Sequence, residues 1–203
     1  MARVCVLDYG SGNVRSVFNL FRAVCNDVIV SNLAADMATA SHLVLPGVGA
    51  FGAAMRRVGD TIPMAALRHA ALDNRKPFLG ICVGMQVLAD RGLEFGDFGG
   101  LGWIPGEVGK LKAGRERLPH IGWNDIRIRH SSPLLQGLGD GAHFYFLHSY
   151  VFRCADPSYV VATTDYGEEF CSVVQSGNLF GVQFHPEKSQ RAGQRVAENF
   201  LNL

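Results

Sequence analysis

The sequence predicts an α/β protein with a doubly wound, mostly parallel sheet and a more antiparallel C-terminal half. In the first half, short β-branched runs alternate with longer amphipathic segments, which is the pattern of βαβ units around a parallel sheet. After about Gly92 the chain changes to glycine-rich loops and alternating strands, which is typical of antiparallel pairing. With 48% hydrophobic residues, a chain of 203 residues can bury a core without disulfides or metals, so we expect one domain over residues 1–203.

Individual elements follow from the spacing of apolar residues. After the turn at residues 9–13, apolar side chains recur at helical spacing from Val14 to Val24 and predict a helix. Alanine-rich residues 63–74 and residues 190–201 predict two more. Strands are expected at residues 3–8, 28–31, 42–46, 77–81, 126–129, 142–146, 159–164, 171–175 and 179–184. This order predicts a flavodoxin-like arrangement of the first half.

Composition argues against several classes of partner. The chain has 19 Lys+Arg against 18 Asp+Glu and no basic stripe, which disfavours nucleic acid. Apolar stretches end well before the roughly 20 residues that a membrane helix needs. The N-terminus reads as a first strand and lacks the order of a secretory signal. We therefore expect a cytoplasmic protein with neither partner.

Five cysteines are scattered along the chain: Cys5, Cys25, Cys82, Cys154 and Cys171. Their number is odd and no Cys-x-x-Cys pair suggests zinc or a redox centre. We expect reduced thiols, and neither a metal nor a cofactor.

One cysteine stands in a nucleophile elbow. Cys82 lies between Gly80 and Gly84, where an apolar strand is expected to turn into a helix. Glycines at both positions let strand and helix pass closely, and the N-terminus of the following helix favours a thiolate. The alternatives are a buried structural cysteine, which suits the other four better, or glycines that serve packing alone.

A general base follows near the C-terminus. His185 directly follows the strand predicted at residues 179–184, where it can reach the thiol, and Pro186 biases it towards an extended backbone. Glu187 can then turn back and accept a hydrogen bond from the imidazole, which fixes its tautomer. A comparable sequence context is lacking at His42, His69, His130 and His143.

Two glycine-rich turns need separate interpretation. Pro46-Gly-Val-Gly49 follows a predicted strand at the sheet edge where ligands bind, although a plain strand-to-helix turn is about as good an interpretation. Gly10-Ser-Gly12 suggests a dinucleotide loop, but Arg15 occupies the third glycine position and no suitable acidic residue closes the next strand. The dinucleotide interpretation is therefore rejected.

With these motifs the chain resembles the triad (class I) glutamine amidotransferases. Within them it is similar to the glutaminase subunits that supply ammonia to a cyclase of histidine biosynthesis. The similarity covers essentially the whole chain. The motifs that carry it are Leu45-Pro-Gly-Val-Gly-Ala-Phe51, Gly80-Ile-Cys-Val-Gly-Met-Gln86, Gly100-Leu-Gly102, Pro119-His-Ile-Gly-Trp-Asn124, Phe146-Leu-His-Ser-Tyr150 and Phe184-His-Pro-Glu-Lys-Ser189.

The resemblance implies roles for individual residues. Cys82 would be the nucleophile, His185 the acid and base, and Glu187 its orienting partner, while Val48 and Val83 would supply the oxyanion N–H groups. The amino-acid group of glutamine would be held by Gly49, Gln86, Glu94, Ser149 and Tyr150, and the cyclase would be met by Asn13 and Lys188. For Glu94, Ser149 and Lys188, an ordinary solvated or capping role is the alternative.

The implied function is glutamine hydrolysis to glutamate and ammonia. A (β/α)-barrel cyclase in a heterodimer would use the ammonia to make imidazole glycerol phosphate and the aminoimidazole carboxamide ribonucleotide. One alternative is the glutaminase of another ammonia-channelling synthase, such as pyridoxal phosphate synthase, which the Pro-Gly-Val-Gly loop argues against. The other is a silent regulatory module, which the complete Cys82, His185 and Glu187 set disfavours.

Overall fold

A computed structural model describes residues 2–203 of the chain. The helices are α1 Val14–Arg22, α2 Ala34–Thr39, α3 Phe51–Thr61, α4 Met64–Arg68, α5 Val83–Gln86 and α6 Gln190–Leu201. The strands are β1 Val4–Leu7, β2 Val28–Ser31, β3 His42–Gly47, β4 Phe78–Cys82, β5 Arg91–Gly92, β6 Phe98–Gly99, β7 Gly106–Lys110, β8 His120–Asp125, β9 Arg127–Ile128, β10 His143–His148, β11 Tyr150–Cys154, β12 Val160–Asp165, β13 Glu169–Ser176 and β14 Leu179–Val182.

The main sheet has eight strands in the order β2-β1-β3-β4-β14-β13-β12-β9. The first five strands in this order are parallel to one another. Each of the last three, β13, β12 and β9, runs antiparallel to the strand before it in the order. The α/β class, with a mostly parallel sheet and a more antiparallel C-terminal half, is thus confirmed.

Two smaller sheets lie outside the main one. Strand β10 was predicted at residues 142–146, but it pairs antiparallel with β8, which the sequence patterns did not predict. Strand β11 joins β7, β5 and β6 in a four-stranded sheet that was also not predicted. Burial does not alternate regularly along such strands; in β8, for example, only His120 is buried. A search for alternating apolar and polar residues therefore does not identify them.

The helices pack on the sheet in the way that the apolar spacing predicts. Helix α1 buries Val14, Val17 and Phe21, and it contacts α6, whose predicted bounds are confirmed. Residues 63–74 form α4 followed by a π-helical turn at His69–Asp73. Within residues 2–203, no helix combines the length and apolar character that crossing a bilayer requires.

The carboxyl ends of three neighbouring strands meet at one edge. Cys82 ends β4 opposite Gly47 at the end of β3, and Ile81 pairs with Val182 at the end of β14. This edge is where ligands bind in open α/β sheets, and it brings the glycine loop, the elbow and the residues after β14 together.

Candidate active site

The elbow at Cys82 has a strained backbone. Cys82 has φ 55° and ψ −110°, a conformation that few non-glycine residues adopt. Such strain persists where the surrounding structure holds it and is concentrated at functional sites. The Cys82 residue is 3% exposed, so its sulfur faces a sheltered space rather than bulk water.

Glycine is required on both sides of the elbow. A Cβ atom on Gly84 would lie 1.9 Å from the carbonyl oxygen of Leu45, and one on Gly80 would lie 2.3 Å from the carbonyl oxygen of Gly84. Neither backbone neighbour can yield, so the predicted need for both glycines is confirmed.

The helix after the elbow is short. Helix α5 has only 4 residues, Val83–Gln86. Because the macrodipole sums over aligned peptide units, so short a helix gives the sulfur little help. If the Cys82 sulfur is to react as a thiolate, groups other than this helix must provide most of its stabilisation.

His185 and Glu187 form a buried pair. His185 has an extended backbone, as predicted, and the short 3-10 turn Pro186–Lys188 brings Glu187 back towards it. The Nδ1 atom of His185 lies 2.8 Å from Oε1 of Glu187, and the two side chains are 1% and 0% exposed. Glu187 therefore holds the tautomer that leaves Nε2 for the thiol.

Electrostatics keep this pair charged. Burial alone would lower the pKa of His185, but Cys82 and the Glu187 carboxylate outweigh it and raise that pKa to about 10. Burial would likewise raise the pKa of Glu187, but hydrogen bonds from His185 and Asn13 and the charge of His185 lower it overall. The protonated imidazole is thus favoured beside the buried Glu187 carboxylate.

The link between Cys82 and His185 is open in the free chain. Among the described residues, Nε2 of His185 has no hydrogen-bond partner. The Cys82 thiol donates instead to the carbonyl oxygen of Leu147 at 3.8 Å, and it accepts from Nε2 of Gln183 at 3.6 Å. Catalytic hydrogen bonds are often loose before substrate binds.

A pocket of about 90 Å³ opens on the sulfur. It is lined by Val48, Gly49, Cys82, Val83, Gln86, Glu94, Leu147, His148, Ser149 and Tyr150. The structure therefore brings the predicted nucleophile Cys82, both predicted oxyanion residues and all five predicted glutamine-binding residues into one pocket. Leu147 and His148, also in this lining, were not predicted as site residues.

Two of these residues already have protein partners. One Glu94 oxygen accepts the backbone N–H of Phe51 at 2.8 Å, at the start of α3, while burial raises the pKa of this carboxyl against the lowering effect of that bond. Gln86, 3% exposed, donates to the carbonyl oxygen of Tyr150 at 2.8 Å. The pocket is thus tied to both α3 and β11.

The two predicted interface residues lie in different environments. Lys188 is exposed, with its ammonium 5.3 Å from the centre of the Tyr145 ring. Asn13 is only 6% exposed, and its Nδ2 donates to Oε1 of Glu187 at 3.0 Å. Its contact with a partner stays a prediction, but its side chain is turned inward to the triad, which the sequence patterns did not suggest.

Other cysteines lack this environment. Burial, with a smaller contribution from Asp36, raises the pKa of Cys5 to about 12, and burial together with Cys154 raises that of Cys171 well above its usual range. Cys154 and Cys171 line a larger cleft of about 530 Å³ between the antiparallel strands. Cys25 donates to the carbonyl oxygen of Ala2 at 3.3 Å.

Comparison with known proteins points in the same direction. Residues 5–203 match the family described as glutamine amidotransferase class-I. The chain is 43% identical over 202 residues to the imidazole glycerol phosphate synthase subunit HisH of Bdellovibrio bacteriovorus, covering 98% of each chain. It is 44% identical to the subunit of the same name from Rhodospirillum rubrum, again covering 98% of each.

Solved structures share the fold at low identity. A crystal structure of a glutamine amidotransferase has a TM-score of 0.75 and 20% identity, covering 98% of this chain and 97% of that one. The structure of PurLQS from Thermotoga maritima has a TM-score of 0.74 and 21% identity, covering 99% and 98%.

Proposed function

Because the chain belongs to the class-I glutamine amidotransferases, and within them to the HisH subunits of imidazole glycerol phosphate synthase, we propose that it hydrolyses glutamine and supplies ammonia to a cyclase. The observation that carries the proposal is the single pocket in which Cys82, on its strained elbow, meets the residues expected to hold glutamine. The buried His185 and Glu187 pair supplies the acid and base behind it.

The reaction uses the triad in two halves. The Cys82 thiolate adds to the amide carbon of glutamine. The carbonyl oxygen becomes an oxyanion, which accepts hydrogen bonds from the backbone N–H groups of Val48 and Val83. His185 then protonates the amide nitrogen, so the C–N bond breaks and ammonia leaves a thioester on Cys82. In the second half His185 takes a proton from water, whose oxygen attacks the thioester carbon. The C–S bond then breaks, glutamate leaves, and the Cys82 thiolate and the protonated His185 are restored.

The substrate fits the pocket by charge. Glu94 is half-buried and its pKa is raised by burial, so an ammonium group beside it would restore a favourable charge pair. Gly49, Gln86, Ser149 and Tyr150 would receive the rest of the amino-acid group. A pocket of about 90 Å³ is small for a ligand site, which typically has roughly 300–1,000 Å³, so part of its wall must move for glutamine to enter.

The loop at Val48 and Gly49 is the part best suited to move. Val48 is 37% exposed, and Gly49 has φ +95° with open space around it. Glycines at 47 and 49 lower the cost of rotating the peptide that carries the Val48 N–H. Partner docking could therefore bring this donor into the oxyanion hole, and an absent donor costs about two to three orders of magnitude in rate.

We assign the partner as a cyclase of (β/α)-barrel type that forms a heterodimer with this chain. Residues 1–203 would act as one glutaminase domain, with Lys188, Asn13 and the loop at the docking side. In this scheme the cyclase uses the ammonia to make imidazole glycerol phosphate and the aminoimidazole carboxamide ribonucleotide in histidine biosynthesis. A cytoplasmic location stays a prediction.

A glutaminase assay with and without the cyclase tests the proposal. We expect slow hydrolysis by the chain alone and stimulation of about 10²- to 10³-fold in the complex. Cys82→Ala should abolish hydrolysis in both states, whereas Cys25→Ala, which removes a thiol outside the pocket, should leave it intact.

Each part of the proposal has its own contrary result. Turnover by Cys82→Ala would refute the nucleophile, and equal rates with and without the cyclase would refute the loop switch. Glutamate formation without transfer of nitrogen into the cyclase product would refute the assigned pathway.

A further inference from the structure

A buried glutamine touches the nucleophile. Gln183 follows the last residue of β14 and is 0% exposed. Its Nε2 atom donates to the Cys82 sulfur at 3.6 Å, and its backbone N–H donates to the carbonyl oxygen of Ser172 at 2.9 Å. The side chain is thus fixed between the main sheet and the sulfur.

The orientation of this amide is set by its neighbours. A backbone carbonyl only accepts hydrogen bonds, so the carbonyl of Tyr150 requires the NH₂ group of Gln86 to face it, at 2.8 Å. The same NH₂ group donates to Oε1 of Gln183 at 3.0 Å. With its oxygen held there, Gln183 can present only its NH₂ group to Cys82.

The sulfur needs such a donor. A thiolate at 3% exposure has lost most of its water, and the 4-residue helix α5 contributes little dipole. Leu147 presents a carbonyl oxygen to the sulfur, which suits a thiol and opposes a thiolate. An amide N–H aimed at the sulfur shifts this balance towards the reactive form.

We propose that Gln183 is a further catalytic residue, whose amide N–H stabilises the Cys82 thiolate, and that Gln86 is a positioning residue that fixes the direction of this amide. The inference deepens the proposed glutaminase function and rests on it. A hydrogen bond to a charged group moves a titration midpoint by about one to two pH units.

The test is the pH dependence of Cys82 alkylation by iodoacetamide in the full chain, followed by mass spectrometry of the peptide that contains Cys82. Gln183→Met keeps the length and apolar volume of the side chain but removes the donor. We expect its alkylation midpoint to rise by about one to two pH units. Because a more basic thiolate is also more nucleophilic, alkylation at a pH below the wild-type midpoint should slow by only about 3- to 16-fold.

Two further variants separate this role from a structural one. Gln86→Met leaves Gln183 in place but frees its amide to turn, so it should raise the midpoint by less, and it should add nothing in a Gln183→Met background. Gln175→Met makes the same change on β13, where the side chain is half-buried and bonds only to Gly177, and should leave the midpoint unchanged.

Turnover provides an independent readout. In the complex with the cyclase, Gln183→Met should lower kcat with little change in KM, because Gln183 is not among the residues lining the glutamine pocket. An unchanged alkylation midpoint in folded Gln183→Met overturns the inference, and should that variant not fold, an unchanged midpoint in Gln86→Met does so. Alkylation needs no glutamine, so absence of glutaminase activity in the wild type would refute the proposed function without affecting this result.

Discussion

Asn13 allows a sharp test of how the buried carboxylate of the triad is held. The hydroxyl of Ser11 donates to Oδ1 of Asn13 at 2.8 Å, which leaves the NH₂ group to donate to Glu187 at 3.0 Å. Asn13→Ala removes this donor. Asn13→Asp keeps the shape but places a second carboxylate oxygen where the NH₂ group was.

The two changes should differ in size and in pH dependence. A hydrogen bond to a charged group is worth about 1.5–3 kcal/mol, so Asn13→Ala should lower kcat by about 10- to 150-fold. Two carboxylates at this separation cannot both ionise, so Asn13→Asp should be worse than Asn13→Ala at pH 8. As the pH falls, a shared proton restores a donor to Glu187. The ratio of Asn13→Asp to wild-type kcat should therefore rise towards pH 5.5.

The assay is glutaminase kcat and KM from pH 5.5 to 8.5 in the complex with the cyclase. Asn19→Ala, an exposed position on α1, serves as the control and should behave like the wild type. The dissociation constant of the complex is measured in parallel, because Asn13 is also predicted at the interface. A folded Asn13→Asp variant with wild-type kcat at pH 8 would refute the reasoning.

Two other predictions concern stability. Gly84→Ala should prevent normal folding, because its Cβ would lie 1.9 Å from the Leu45 carbonyl oxygen. Gly59→Ala in α3 meets open space and should stabilise the protein by about 0.5–1 kcal/mol. Equal unfolding midpoints of the two variants in urea would contradict this. Burial, and then His120, lowers the pKa of His148 to about 3. The unfolded chain therefore binds more protons as the pH falls, and stability should fall by about 2 kcal/mol from this residue between pH 8 and 5. His148→Asn should reduce that slope in urea unfolding and exposed His69→Asn should not, so an unchanged slope in His148→Asn would refute the assignment.

Local chemistry made much of the fold and the pocket predictable from sequence. The parallel half follows from apolar periodicity, and the elbow and the His185-Pro-Glu187 turn are contiguous segments whose conformation depends on their own glycines and proline. The elbow pattern predicts that a helix follows Cys82 but not its length, and helix α5 ends after 4 residues, before the segment that leads to β5.

The polar contacts behind the triad could not be found in the same way. Gln183 and Cys82 are 101 residues apart, and Asn13 and Glu187 are 174 apart. A single glutamine or asparagine beside a motif has no periodicity, and its partner is set by strand order. The one available signal was position, since Gln183 is two residues before His185 and therefore shares its side of an extended segment.

The contact of Asn13 with Glu187 and that of Gln183 with Cys82 have the same function, which is to direct an amide N–H at a buried acidic group of the triad. An amide can present either its oxygen or its nitrogen, and here each amide is fixed by a neighbour with a defined hydrogen-bond direction. Ser11 fixes Asn13 towards Glu187, and the Tyr150 carbonyl fixes Gln86 and thereby Gln183 towards Cys82. The Glu187 carboxylate and the Cys82 sulfur therefore each receive an amide N–H donor in a site from which water is largely excluded. Tyr150 and Gln86 also line the pocket, so one short chain of hydrogen bonds runs from the pocket wall through Gln86 and Gln183 to the Cys82 sulfur.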